Sequence, residues 1–175
     1  MELFEAIAKR HSYREGFTDA PVPREHLEEI VQAGIQAPSG KNEQTTSFVI
    51  VDDPQLLAKI AAIVNRPACN TAKAMIVCVI DPRPVLGEIS FAVEDCAAAV
   101  ENMLLAVTAL GYATVWIDGA LREGDIAARI GRLLGVPGNK IVRVLLPLGV
   151  PARPGRQKER LPFHQRAWFN RYEGR

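Results

Sequence analysis

The sequence predicts an α/β or α+β sandwich, a mixed sheet of four strands flanked by helices, in one domain spanning residues 1–175. Three observations carry this. Apolar residues at helical spacing alternate along the chain with short apolar runs of strand length. One of those runs, Met75-Ile76-Val77-Cys78-Val79-Ile80, has no polar interruption, the pattern of a strand buried on both faces. A chain of 175 residues can also hide about 70% of its unfolded surface, so one core suffices.

The elements follow in order. Leu3, Phe4, Ile7 and Ala8 recur at helical spacing, predicting a short first helix that buries one face and ends in a basic stretch, Arg10 to Arg14. Cations suit a helix C-terminus. After a turn through Gly16, Asp19 and Pro21, Pro23 opens a second helix with an inner stripe of Leu27, Ile30, Val31 and Gly34, stopping before Pro38. The loop Ala37 to Gln44 is dense in turn formers and amides and leads into a strand at Phe48-Val49-Ile50-Val51. Asp53 and Pro54 read as N-cap and first position of a third helix, Pro54 to about Val64. Asp81-Pro82-Arg83-Pro84 ends the second strand.

The longest helix is expected from about Gly87 to Leu110, its polar residues confined mainly to Glu94, Glu101 and Thr108 on one line and Asp95 and Asn102 on the next. So apolar a helix must be covered nearly all round, by running through the centre and by a second subunit. Gly111 closes it, Thr114 to Ile117 forms a strand ending at Asp118-Gly119, and Ile126, Ile130, Leu133 and Leu134 mark a helix ending at Gly135. Ile141 to Val150 is the last strand, and Pro147 within it predicts an edge or a bulge for its second half.

The net charge is +1, from 21 basic and 20 acidic residues, so no global field asks for nucleic acid or an anionic membrane as partner. No uncharged apolar run approaches the roughly 18 residues of a membrane span. The expected location is the cytoplasm. Cys69, Cys78 and Cys96 form no C-x-x-C and read as reduced core residues. His11, His26 and His164 are scattered, which makes a metal site improbable. The signatures of dinucleotide folds, phosphate-loop NTPases, serine hydrolases and zincins are missing, and Glu28-Glu29 and Asp52-Asp53 lie on a helix and at a helix cap.

The chemistry is concentrated elsewhere. Arg10-His11-Ser12-Tyr13-Arg14 near one terminus and Lys158-Glu159-Arg160 near the other read as halves of one anion site. Arginine forks, a lysine point charge and a serine hydroxyl suit a phosphate. Around the second half, residues from Pro151 onward carry seven basic side chains against two acidic ones.

Taken over its whole length, the chain resembles the FMN-dependent nitroreductase family. The resemblance is carried by Arg10-His11-Ser12-x-Arg14, Ala37-Pro38-Ser39-Gly40-x-Asn42-x-Gln44, Val115-Trp116-Ile117-Asp118-Gly119 and Lys158-Glu159-Arg160-Leu161-Pro162. It implies an α+β fold with a mixed sheet flanked by helices, an intertwined homodimer with FMN at its interface, and NADH or NADPH as electron donor to a nitroaromatic, quinone or similar small acceptor. It assigns Arg10, Lys158 and Arg160 to the FMN phosphate, and Ser12 and Arg14 to the flavin ring and ribityl chain, with His11 in the same motif. Pro38, Ser39, Gly40 and Asn42 would reach the other subunit's FMN. Backbone N–H groups around Asp118 and Gly119, after Trp116 and Ile117, would face flavin N5, and no catalytic side chain or metal is implied. The family's polar flavin contact before the second strand falls on Asn65 or Asn70. After Gln44 the family commonly continues Pro-Trp, whereas this chain has Thr45-Thr46. Phe91, Thr45 and Phe163 to Trp168 are the candidates for the open face of the ring. A non-enzymatic reading of the same features is a dimeric FMN-binding carrier or sensor.

Overall fold

A computed structural model describes residues 1–174. Six α-helices, α1 (Leu3–Lys9), α2 (Arg24–Ile35), α3 (Pro54–Val64), α4 (Pro67–Thr71), α5 (Ala92–Ala109) and α6 (Ile126–Leu133), accompany four strands among these residues. The strands are β1 (Thr46–Val51), β2 (Ala74–Ile80), β3 (Ala113–Thr114) and β4 (Ile141–Gly149). They form one sheet in the order β1-β2-β4-β3.

Every residue of β2 is buried, as its unbroken apolar run requires. Its side chains alternate between two clusters. Met75, Val77 and Val79 join the cluster under α3 and α6, with Ile60, Ile130 and Leu145. Ile76, Cys78 and Ile80 join the cluster under α2 and α5, with Ile30, Val100, Met103 and Leu146. The period of two along β2 thus builds a three-layer α+β sandwich from one strand. The three cysteines are buried and unpaired by disulfides. Burial pushes the Cys69 thiol up to about 11.

The structure corrects several expectations. All three strand pairs are antiparallel. Among the described residues, the mixed character of the sheet is confined to the isolated parallel bridge Ser12–Thr114. Pro147 lies in an internal strand, not at an edge, opposite Met75. Its missing N–H is tolerated because β3 is short: Leu145 exchanges backbone bonds with Ile117, while the Pro147 carbonyl accepts from Thr114 Oγ1 at 2.7 Å. The bulge falls instead at Arg143, where the register steps from Cys78–Val144 to Val79–Val142.

Helix α5 starts at Ala92, because Gly87 at φ 56° and the Val85 N–H bond to Ile89 O at 2.8 Å fold the preceding residues into a turn. Pro23 is the cap of α2, not its first residue, whereas the Asp53 cap of α3 holds, with Leu56 N–H donating to Oδ1 at 2.8 Å. Helix α4 has only five residues, too few to give a periodic signal. Helix α1 buries Ala6 alone; Leu3, Phe4 and Ile7, expected on its inner face, are exposed.

Candidate functional site

The first wall is built where the chain leaves α1. The Tyr13 N–H donates to Thr114 O at 2.8 Å, so residues 12 and 13 run along β3 and extend the sheet edge. The Tyr13 ring is buried, and its hydroxyl donates to Gly16 O at 2.8 Å and accepts from the Arg153 N–H at 3.3 Å. That second bond brings the strap after β4 back across the N-terminal segment. The strap lies directly on His11, and a Cβ at Gly155 would run into the imidazole. His11 donates from Nδ1 to Lys9 O at 2.9 Å, and its Nε2 is buried with no hydrogen-bond partner among the described residues.

This crossing unites the two predicted halves. Ser12, Arg14, Lys158 and Arg160 line one cleft of about 190 Å³, together with His11, Arg156 and Gln157. Four cations and a hydroxyl face it with no carboxylate among the lining residues. Arg156 and Gln157 were not singled out by sequence, although Arg156 belongs to the basic arm already evident there. Arg10 stands apart: its Nε lies 3.3 Å from Glu101 Oε1 on α5 and its side chain is largely buried.

Arg14 also lines a second, larger cavity of about 380 Å³, so the two adjoin at this side chain. Its floor is the stretch Val115 to Ala120, which includes the expected Trp116, Ile117, Asp118 and Gly119, and its far side is Arg66, Pro67 and Ala68. Backbone bonds between Ile117 and Leu145, at 3.0 and 2.9 Å, fix the floor to β4. The Asp118 carboxylate is turned away from acid-base work. Arg122 donates to it from Nε and Nη2 at 2.7 and 2.6 Å, and the bulged Arg143 approaches at 3.3 Å. Gly119 can present only backbone to the cavity, and a Cβ there would meet nothing within 4 Å. Neither Asn65 nor Asn70 lines this cavity; Arg66 between them does. Asn65 instead ends α3 in the left-handed region at φ 50°.

The Pro38 to Gln44 loop does not join these cavities within one chain. Pro38 and Ser39 line a separate groove of about 390 Å³ between α2, β1 and α5. Lys41, Asn42 and Gln44 adopt φ values of 53°, 58° and 49°. Gly40 has no room for a side chain, because a Cβ would enter the Phe91 ring. Phe91 is thus occupied by the loop, and Thr45 is buried with its hydroxyl donating to Asp95. Phe163 is exposed, and none of residues 163–168 lines either cavity.

Cations in one cavity beside a mainly apolar one that has no side chain at Gly119 suit an elongated aromatic group bearing a phosphate. FMN is one such group: Ser12, Lys158 and Arg160 could hold its phosphate, and the open volume over Gly119 could receive its ring. Among the described residues no group of three metal-binding side chains occurs, and no helix is long and apolar enough to cross a membrane.

The chain is similar to known proteins in both sequence and fold. A profile of the nitroreductase family matches residues 7–75 and 64–150. A relative from Archaeoglobus fulgidus, provisionally named an NADH dehydrogenase/NAD(P)H nitroreductase, is 36% identical over 152 residues, 86% of each chain. The NADPH:FMN oxidoreductase of Vibrio harveyi, solved with NAD+, is 30% identical and superposes with a TM-score of 0.82, covering 98% of this chain and 78% of that one. Nitroreductase A of Vibrio parahaemolyticus is 29% identical with a TM-score of 0.83 over 99% and 78% of the two chains. Since the profile spans most of the chain and a relative 36% identical matches 86% of it, the protein belongs to the nitroreductase family.

Proposed function

We propose that this protein is an FMN-dependent oxidoreductase that takes hydride from NADH or NADPH and passes electrons to a nitroaromatic, quinone or similar small acceptor. The single observation that carries this reading is Arg14, shared between a phosphate-sized basic cleft and an apolar trough over Gly119. FMN, when bound, supplies the hydride acceptance and delivery. The protein's own residues orient and exclude. Ser12, Lys158 and Arg160 bind the phosphate, and Arg14 places a cation where the two cavities meet, favouring an electron-rich ring. Backbone N–H groups at Asp118 and Gly119 provide donors at close range, which the missing Cβ permits. Val115, Ile117 and Ala68 form apolar walls that keep water from one ring face.

The reading includes a homodimer in which Pro38, Ser39, Gly40 and Asn42 complete the partner's site. Its support is the exposed apolar surface: Phe4 is 83% exposed, Phe169 81% and Tyr172 77%, alongside Leu3, Ile7, Leu161 and Phe163. Apolar surface on this scale is what a second chain covers. Three buried cysteines without a disulfide suit the cytoplasm.

The test is anaerobic mixing of FMN-loaded protein with NADH and with NADPH. Loss of absorbance near ~450 nm, a band of oxidised flavins, followed by recovery on adding a quinone, is expected for the enzyme. Retained colour with both donors would leave the carrier or sensor reading in its place.

A further inference from the structure

Asp95 is the single carboxylate in the core among the described residues, 6% exposed near the start of α5. A buried anion is costly unless its oxygens are satisfied. Here each oxygen has one neutral donor: Gly40 N–H to Oδ1 at 2.8 Å and Thr45 Oγ1 to Oδ2 at 2.9 Å. The two donors bracket the loop. Between them lie Lys41, Asn42 and Gln44, three of the five non-glycine residues at positive φ among the described residues. The other ties of this stretch include Gln44 N–H to Ser39 Oγ at 3.1 Å within the loop, Arg83 Nη2 to Glu43 Oε2 at 2.7 Å on its exposed outer side, and Asp81 N–H to Thr45 O at 2.9 Å at its end, so among the described residues Asp95 alone holds Gly40 to Thr45 from the inside. Such backbone persists only where its surroundings over-determine it.

We propose that Asp95 is a positioning residue whose carboxylate, gripping Gly40 and Thr45 together, clamps the Pro38–Gln44 loop in the strained shape that presents Pro38, Ser39 and Asn42 to the FMN of a partner subunit. This rests on the functional reading above. Thr45 is part of the device: it supplies a hydroxyl where the family resemblance has proline, and proline has no hydroxyl to give. Asp95 acts through the loop and touches no reacting atom.

Four variants separate the clamp from ordinary core packing. Thr45→Val removes one grip at nearly constant shape, and Asp95→Ala removes both. Thr45→Ser retains the hydroxyl. Asp95→Asn keeps an acceptor for Gly40 N–H and turns its amide donor to the Thr45 oxygen, so it is milder than Asp95→Ala. Amide exchange at Gly40 in the assembled protein reads the clamp directly and needs no flavin. Thr45→Val and Asp95→Ala accelerate it roughly tenfold, each grip being a hydrogen bond to an ionised group, and Thr45→Ser leaves it unchanged. In the same variants FMN dissociation constants rise roughly tenfold, and Thr45→Val also lowers the unfolding temperature, because Asp95 Oδ2 is left buried without a donor, whereas Thr45→Ser does neither. Wild-type exchange at Gly40 in Thr45→Val overturns the proposal, even if Asp95→Ala does not fold. Faster exchange with unchanged FMN affinity also overturns it, reducing Asp95 to a stabiliser. If wild-type protein takes up no FMN, the functional reading fails, and Gly40 exchange still decides whether the clamp exists.

Discussion

Around Ser12 and Arg14 the chain is placed by ordinary extended backbone beside β3 and by a strap resting on His11, and its cations stand in solvent. Around Gly40 the placement is different: a buried carboxylate, an occluded glycine and three left-handed residues hold an exposed loop. The first wall is soft in its side chains and cheap in its backbone. The second is the reverse, with about 1–2 kcal/mol of conformational cost at each of Lys41 and Gln44. Substitutions should therefore separate the two: at the basic wall binding changes and stability does not, while at the loop stability and shape change first.

The largest effect is expected from combining Arg14→Ala with Lys158→Ala. Each removes a charge-assisted contact of about 1.5–3 kcal/mol, or roughly 10- to 150-fold in FMN affinity. Fluorescence titration checks this, and the FMN-free protein should unfold at the wild-type temperature because both side chains are exposed. Arg10→Ala should weaken FMN less than Lys158→Ala, since Arg10 is engaged by Glu101. On the loop side, Gly40→Ala should cost about 1–3 kcal/mol of stability by overpacking, because the new methyl group enters the Phe91 ring. Denaturant melts measure it, and Phe91→Leu in the same chain should restore part of the loss.

Gly119→Val tests the trough in isolation. A Cβ there meets nothing within 4 Å, so stability should stay within about 0.5 kcal/mol of wild type while FMN binding falls. An equal loss of both would show that the floor is not open. The smallest effect belongs to Arg83→Ala. Its Nη2 lies 2.7 Å from Glu43 Oε2 on the loop's outer side, with both side chains about half exposed. A pair so placed contributes about 0–1 kcal/mol, so Gly40 exchange should hardly move, confirming that the loop is held from inside.

Much of this was legible in residues. The unbroken run Met75–Ile80 announced the central strand, and Asp53-Pro54 announced α3 at its observed bounds. The basic halves at Arg14 and Lys158 were legible as types but not as neighbours, because their meeting depends on the strap crossing His11, a contact between distant segments. Arg66 carries no such signal, because the five-residue helix that turns the chain there is too short to give a periodic pattern, and Asn65 and Asn70 on either side of it do not line the cavity. Asp95 was legible only as one polar residue on an apolar helix. Its burial, and its grip on Gly40 and Thr45, arise from tertiary packing that no local pattern records. For the same reason Leu3, Phe4 and Ile7 read as an inner stripe: apolar spacing marks a face to be covered, not which chain covers it.

The central claim is that one chain supplies the cleft and trough while a second supplies the loop. Sedimentation velocity of FMN-loaded protein, followed at a flavin wavelength near ~450 nm, tests it most directly. All bound flavin should travel with a species of twice the 19.2 kDa chain mass. Flavin stably bound to a species of 19.2 kDa would contradict it.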